Sequence, residues 1–223
     1  MRSAAAPADF ERALAARLAK YDGPAPVTEM IRYHFAPGAD RLRARVVLAA
    51  CEEEGGLAGD ALGAACAIEI VGNFAVVHLD IMTDTRTRFG QPNVLERFER
   101  AQAINTGDAL AAIGFLALLD SKRPPERTAA MSRVLHEAHL AMCAEHSRNP
   151  LATEDDHRMT WARTAALIAA ACRLGALAAG SSGPRVDEYG ELGEALARGV
   201  DGDALAQGYD IDRGRRVRTV LAA

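Results

Sequence analysis

The residues with the clearest chemical potential stand at the end of one long apolar segment. His78, Asp80 and Asp84 close that segment, and the loop after it carries Arg86 and Arg88. If the segment is helical, carboxylates at positions i and i+4 share one face, with their Cβ atoms about 5–6 Å apart. Such a pair can chelate a hard cation through oxygen, and nearby guanidinium groups can hold a phosphate. The alternative is a helix end at which the chain simply reaches solvent.

Other polar clusters favour structural explanations. Glu154, Asp155 and Asp156 precede a helical segment, where acidic residues suit the positive end of the helix dipole. His136 and His139 share a predicted helix face, but two histidines alone are too few ligands for a metal site. The sequence shows neither a nucleophile–base pair nor a glycine-rich phosphate loop.

Composition is typical of a soluble globular protein. The chain has 223 residues, of which 49% are apolar and 25% charged, with a net charge of −4. These values exclude disordered and fibrous classes and argue against a nucleic-acid partner. Four scattered cysteines without metal or disulfide spacing predict reduced thiols in the cytoplasm. No secretory signal is predicted, and the most apolar stretch, residues 164–180, is too short to span a membrane.

Apolar spacings of three and four residues predict an all-α fold of eight to ten helices, forming one domain over residues 1–223. The predicted helices cover residues 8–20, 41–53, 60–84, 94–119 (as one helix or two), 124–146, 157–180 and 186–198. Prolines between the first two predict an interruption there. No segment alternates as a strand does. The nearly uncharged helix 60–84 is predicted to be central and buried, and it positions the acidic residues at its end.

Five segments, in order, resemble motifs of the trans-isoprenyl diphosphate synthases. Residues 67–82 resemble the first aspartate-rich helix of that family, A-x-E-x-I-H-x-x-S-L-I-H-D-D-I-M-D. Residues 38–44 are similar to G-G-K-R-L-R-P and residues 88–93 to R-R-G-x-P-T. Residues 106–110 are similar to A-G-D-A-L and residues 163–168 to K-T-A-A-L-I. The resemblance extends from about residue 30 to the C-terminus.

This resemblance implies an isoprenoid-synthase-like helical bundle around a deep prenyl pocket. The family joins an allylic diphosphate to isopentenyl diphosphate with the help of Mg²⁺, so a prenyl diphosphate ligand and a magnesium cofactor are implied here. The implied diphosphate contacts are Arg41, Arg88, Arg163 and Thr164. The candidate metal ligands are Asp80, Asp84 and Asp201.

The aspartate-rich motifs depart from the family pattern. Leu79 and Thr83 replace the outer aspartates of the first motif, and Asp84 restores a pair one residue further on, rotated by about 100° around the helix. In the second motif, Asp201 and Asp203 stand two residues apart, so on a helix they do not share a face. The chain ends at residue 223, before the family's last helices, which implies a bundle shortened at its C-terminus.

The residues that grip isopentenyl diphosphate in the family also differ. The four corresponding positions hold Asp40, Arg41, Gly72 and Phe89, so one cation remains and a carboxylate replaces another. A carboxylate repels a diphosphate. The sequence therefore predicts no condensation of isopentenyl diphosphate.

Three hypotheses remain open from the sequence. The favoured one is a divergent family member without chain elongation that acts as a partner or regulatory subunit, as a homodimer or as a heterodimer with an active prenyl diphosphate synthase. The apolar face that carries Val94, Phe98, Ala101, Ile104 and Phe115 is its expected pairing surface. The second is a divergent prenyltransferase or terpene-cyclase-like enzyme with one metal. The third is a non-catalytic helical module that binds an isoprenoid or another lipid.

Overall fold

The computed structural model describes residues 8–21, 25–36, 41–148 and 157–197, with residues 217 and 219. Within these ranges the chain forms eight α-helices and one short β-hairpin. The helices are α1 (Ala8–Lys20), α2 (Ala25–Phe35), α3 (Leu42–Glu53), α4 (Ala58–Thr83), α5 (Val94–Leu119), α6 (Pro125–Arg148), α7 (His157–Ala179) and α8 (Pro184–Ala197). The hairpin pairs β1 (Thr87–Arg88) with β2 (Gln91–Pro92). The all-α class predicted from the sequence is confirmed.

Helix α4 lies at the centre of the bundle because it is apolar along nearly its whole length. Residues 63–75 are all buried. The helix packs mainly against α5, α3 and α7. Small residues allow this close approach: a Cβ on Gly114 of α5 would lie 2.5 Å from a methyl carbon of Val71. The prediction of a central, buried helix is confirmed.

A second set of contacts joins α3, α7 and α8 on the other side of the bundle. Gly175 of α7 packs so closely on α3 that a Cβ there would lie 2.5 Å from the carbonyl oxygen of Val47. Glu54, just after α3, accepts hydrogen bonds of 3.0 Å from Arg185 and from the Tyr189 hydroxyl of α8. Buried apolar residues from all eight helices belong to one cluster. The assignment of residues 1–223 to one domain also includes undescribed residues and stays a prediction.

Both long apolar helices meet the length and composition of a membrane span, but their burial differs. In α4, 72% of the apolar window is buried in the bundle, and in α5 the share is 44%. Helix α4 is therefore a core helix of the described bundle. Helix α5 turns part of its apolar surface outward.

One expectation about secondary structure was wrong. The interruption predicted between the first two helices is instead helix α2, which tolerates Pro26 because a proline in the first helical turn loses no intrahelical hydrogen bond. The hairpin had no signal in the sequence, because its two-residue strands are too short to show alternation. Residues 94–119 form one helix with a break in its dihedral angles at Glu99.

Candidate functional site

The end of α4 places Asp80 and Asp84 in different surroundings. The helix ends at Thr83, and Asp84 adopts a left-handed conformation with φ 54°. The carbonyl oxygen of Asp80 accepts a hydrogen bond from the Asp84 N–H and another of 3.0 Å from the Thr85 N–H. Because Asp84 lies beyond the last helical residue, the expectation of an i, i+4 pair on one helix face was wrong.

Asp80 is buried, and hydrogen bonds engage both of its carboxylate oxygens. Oδ1 accepts from Nε of Arg88 at 2.6 Å, and Oδ2 accepts from Nδ2 of Asn93 at 2.9 Å. The hairpin positions Arg88, which pairs with Gln91 across the strands. The Asn93 side chain also caps α5 by accepting from the Glu96 N–H at 3.0 Å. Asp80 thus joins the end of α4 to the hairpin and to the start of α5.

Asp84 belongs to a separate, exposed group. Its Oδ1 accepts from Nη2 of Arg86 at 2.7 Å and from Nη2 of Arg100 at 3.3 Å. Its side chain keeps 59% of its surface exposed. Asp80 and Asp84 therefore face different arginines and do not form one chelating pair.

Arg41, a predicted diphosphate contact, is directed toward α1. It caps α3 in a left-handed conformation with φ 52° and is only 6% exposed. Its Nε lies 3.0 Å from Oε1 of Glu11, and its guanidinium lies over the ring of Phe35. A carboxylate and an aromatic face thus already engage the charge of Arg41.

Arg43 also pairs with a carboxylate, and its guanidinium lies in the space beside Gly72, which has no side chain. Its Nη2 lies 3.3 Å from Oε1 of Glu69, a residue of α4 whose side chain is 2% exposed. A Cβ on Gly72 would lie 2.3 Å from Nε of Arg43. The glycine at the position of the family's histidine therefore provides the space in which Arg43 lies.

His34 and Asn73 extend this polar group. Nδ2 of Asn73 donates to the carbonyl oxygen of Glu69 at 2.7 Å, and Oδ1 of Asn73 lies 2.9 Å from Nε2 of His34. Burial is the main reason that the pKa of His34 falls to about 4. The charges of the neighbouring arginines act in the same direction, and the hydrogen bond to Asn73 opposes them. His34 is therefore neutral near pH 7.

Three ion pairs thus neutralise this region from within the chain. They are Arg41–Glu11, Arg43–Glu69 and Arg88–Asp80. A cavity of about 20 Å³ lies beside Arg88, between α2, the hairpin and the start of α5, and is lined in part by Tyr33, His34 and Arg88. A single water needs roughly 10–15 Å³ measured in this way, so the cavity has room for about one water and none for a diphosphate.

The described residues do not fit a magnesium ion. Within the described ranges, no group of three or more His, Cys, Asp or Glu side chains lies close enough together to hold a metal. Hydrogen-bond donors surround Asp80, whereas Mg²⁺ needs oxygen ligands in octahedral geometry. Asp201 lies outside the described residues. The metal roles of Asp80, Asp84 and Asp201 stay predictions.

Two further candidates lie in α7. The backbone of Arg163 and Thr164 is helical there, and their side chains are outside the described part of the chain. Their diphosphate role stays a prediction, as does that of Arg41 and Arg88. Sequence reasoning missed Arg43, Glu69, Asn73, His34 and Asn93. The signal that could have found two of them is the polar pair Glu69 and Asn73, four residues apart on an otherwise apolar helix.

Comparison with known sequences agrees with this architecture. Residues 24–198 match the family model for polyprenyl synthetase. The chain is 34% identical over 166 residues to the short chain isoprenyl diphosphate synthase of Methanothermobacter thermautotrophicus, covering 71% of this chain and 51% of that protein. It is 34% identical over 186 residues to the farnesyl diphosphate synthase of Escherichia coli, covering 74% of this chain and 61% of that protein.

Solved structures share the fold. The geranylgeranyl pyrophosphate synthetase of Pyrococcus horikoshii superposes with a TM-score of 0.71 at 25% identity, covering 85% of this chain and 64% of that one. The geranyltransferase of Legionella pneumophila gives a TM-score of 0.75 at 21% identity, covering 96% and 83%. The helical bundle is thus that of the isoprenyl diphosphate synthases.

The chain belongs to the polyprenyl synthetase family, whose model matches most of its length. Members of this family act in isoprenoid biosynthesis and are typically Mg²⁺-dependent. The chain spans between 51% and 61% of the length of the two curated relatives described above.

Proposed function

We propose that this chain is a family member of isoprenoid metabolism that does not elongate prenyl chains and acts as a partner or regulatory subunit. One observation carries the proposal: Arg41, Arg43 and Arg88 are each neutralised by a carboxylate of the same chain. The cytoplasmic location expected from composition is part of the proposal.

A diphosphate bound to these arginines would have to displace carboxylates of the same chain. An anion gains little from a guanidinium whose charge a buried carboxylate already compensates. Glu69 and Asp80 have side chains only 2% and 4% exposed, so neither can be left ionised without a partner at low cost. Binding a diphosphate here would therefore require both carboxylates to find other partners.

The proposed partner surface lies on α5 and α6. Ile104 and Leu116 are each 41% exposed, and Leu119 and Leu140 are 58% and 70% exposed. Large exposed apolar patches mark protein interfaces more often than single exposed apolar side chains do. We propose that this face pairs with a second copy of the chain or with an active prenyl diphosphate synthase.

The pairing surface differs in part from the one expected from the sequence. Val94 is buried in the core, and Phe98 and Phe115 are only partly exposed, so these three contribute less than expected. Ala101 and Ile104 are exposed as predicted. The exposed apolar residues of α5 also include Leu116 and Leu119 near the C-terminal end of the helix. The opposite face of α5 packs on α4.

Calorimetric titration tests the proposal at the site. We expect no heat of binding from pyrophosphate with Mg²⁺, either for the wild type or for Asp80→Asn. A micromolar, Mg²⁺-dependent signal that is lost in Asp80→Asn would contradict the proposal. That outcome would favour the divergent metal-dependent enzyme instead.

A further inference from the structure

Asp80 is the one carboxylate retained from the first aspartate-rich motif that the sequence resembles. The guanidinium of Arg88, a cation of the same chain, is paired with it. Nε and Nη2 of Arg88 lie 2.6 Å and 2.5 Å from Oδ1 of Asp80. Nδ2 of Asn93 donates to the other oxygen at 2.9 Å. The two carboxylate oxygens are thus held by a guanidinium and an amide.

We propose that Arg88 is a built-in cation that replaces a divalent metal at Asp80, so that this part of the fold is independent of metal. The inference deepens the proposed function at the same site, and it rests on that proposal only for the expectation that no metal-dependent reaction takes place there. What it predicts is the effect of Arg88 and of metal ions on the stability of the protein, which can be measured without any substrate.

Burial makes a cation at this position necessary. The Asp80 side chain is 4% exposed, and an ionised carboxylate at that depth is strongly destabilising unless it is paired and hydrogen-bonded. A guanidinium keeps its charge at every pH at which the protein is folded and presents several N–H donors in a fixed plane. Arg88 therefore supplies permanently the charge that a metal would supply only when bound.

The surrounding backbone holds this cation in place. Arg88 lies in a hairpin in which Thr87 pairs with Pro92 and Arg88 with Gln91. Asn93, directly after the hairpin, also donates to the carbonyl oxygen of Thr85 at 2.7 Å. Arg88 and Asn93 thus belong to one short segment whose two ends are fixed by α4 and α5.

Thermal unfolding of the wild type and three single variants tests the inference. The variants are Arg88→Ala, Arg88→Lys and the matched control Arg86→Ala, which removes the exposed arginine, just before the hairpin, that pairs with Asp84 and Glu96. Each is unfolded in EDTA and in millimolar MgCl₂ or MnCl₂, with circular dichroism as the readout.

We expect the wild-type midpoint temperature to be the same with and without metal. Arg88→Ala should unfold on the order of 10 °C lower in EDTA, because it removes a cation that pairs with a buried carboxylate. Mg²⁺ or Mn²⁺ should restore a large part of that loss, since either ion can take the vacated place beside the carboxylate. Arg88→Lys should recover most of the loss without metal, and Arg86→Ala should behave like the wild type.

Two results would overturn the inference: a saturable rise of the wild-type midpoint with Mg²⁺, or a folded Arg88→Ala that metal does not stabilise more than it does Arg86→Ala. If Arg88→Ala does not fold, the double variant Asp80→Asn/Arg88→Ala decides. A folded, metal-indifferent double variant supports the inference because the unpaired charge is gone, and an unfolded one contradicts it.

These outcomes are separable from the proposed function. A wild type indifferent to metal in unfolding that nevertheless forms prenyl products would contradict the proposed function and leave the built-in cation intact. An inactive wild type that Mg²⁺ stabilises would contradict the built-in cation and leave the proposed function intact.

Discussion

Gly72 decides where the side chain of Arg43 can lie. Any Cβ at this position would approach Nε and Cζ of Arg43 to 2.3 and 2.6 Å. Arg43 would then have to shift its guanidinium group, which pairs with the buried carboxylate of Glu69 in α4. The absence of one side chain on α4 therefore permits an ion pair between α3 and α4.

Gly72→Ala should destabilise the protein although alanine favours helices. Separating Arg43 from Glu69 leaves a buried charge unpaired, which costs about 3–5 kcal/mol, and the gain in helix propensity offsets only about 1 kcal/mol. Chemical denaturation should therefore show a loss of about 2–4 kcal/mol in the free energy of unfolding.

The control for this prediction lies on the same helix. Gly59 is exposed, and a Cβ there would meet nothing within 4 Å. Gly59→Ala should leave the free energy of unfolding unchanged or raise it by up to about 1 kcal/mol. If Gly72→Ala were as harmless as Gly59→Ala, the Arg43–Glu69 pair would not be a significant source of stability.

His34 makes the stability of the protein depend on pH. Its folded pKa of about 4 lies below the ordinary value of 6.5, so the unfolded chain binds the proton more readily between these values. The stabilisation is fully present above pH 6.5 and is lost as the pH falls toward 4, by up to about 3 kcal/mol. Urea unfolding across this range should show the decline.

Variants separate His34 from other groups that titrate in acid. His34→Gln keeps a polar side chain beside Asn73 but cannot titrate, so its free energy of unfolding should fall less steeply between pH 6.5 and 4. His136→Gln, an exposed control on α6, should keep the wild-type slope. Equal slopes for wild type and His34→Gln would show that His34 does not set this pH dependence.

Asp80 shows how far a site can be predicted from residue types alone. The sequence identified Asp80 and Arg88 as chemically important, and the structure brings them together, but as partners of each other. The family pattern describes both as groups that face a ligand, and their mutual contact depends on the hairpin between them. No periodicity signals that hairpin, and for the same reason Asn93 was missed.

At the scale of elements, the hairpin after α4 is built around an unfavourable residue. Phe89 and Gly90 form the two-residue connection, with φ values of 52° and 76°. Positive φ at both positions is the requirement of a type I′ turn, which favours Asn-Gly and disfavours bulky side chains. Phe89 is 70% exposed, so packing compensates little for this conformation.

Phe89→Asn should stabilise the protein by about 0.5–1 kcal/mol, because asparagine adopts the left-handed conformation at lower cost. Urea unfolding of the two proteins measures the difference. Thr87→Asn, on the adjoining strand, is the control and should give no gain. A loss of stability in Phe89→Asn would mean that the aromatic ring contributes more packing than its exposure indicates.

The helices were predictable because their patterns are long. Helix α1 and helix α5 have the predicted bounds, and α4 and α8 begin two residues earlier than predicted. Helix α2 was missed because Pro26 was interpreted as an interruption. A proline at that position is compatible with a helix only if the helix begins at about residue 25. A proline near a segment boundary fits both a loop and a first helical turn, and only the packing against α5 decides between them.

At the scale of the whole molecule, the outward apolar face of α5 and α6 predicts association. We expect light scattering to give twice the 23.7 kDa chain mass at micromolar concentration, or a complex when an active prenyl diphosphate synthase is added. Leu116→Glu should weaken the association at least tenfold, because it places a charge in an apolar interface.

Met82→Glu is the matched control for this substitution. Met82 is 39% exposed, nearly the same as Leu116, but it lies near the end of α4, beside the start of α5 and not beside Leu116. The Met82→Glu protein should associate like the wild type. A monomer at micromolar concentration that adding the synthase does not change would contradict the proposed pairing.

The most direct test of the central claim is a product assay with the purified chain. Radiolabelled isopentenyl diphosphate, Mg²⁺ and allylic diphosphates of several lengths are incubated with the protein, and the organic extract is counted. Because the three arginines are neutralised by carboxylates of the chain, we expect no prenyl product above a protein-free control. Mg²⁺-dependent formation of an elongated prenyl diphosphate by the chain alone would contradict the account.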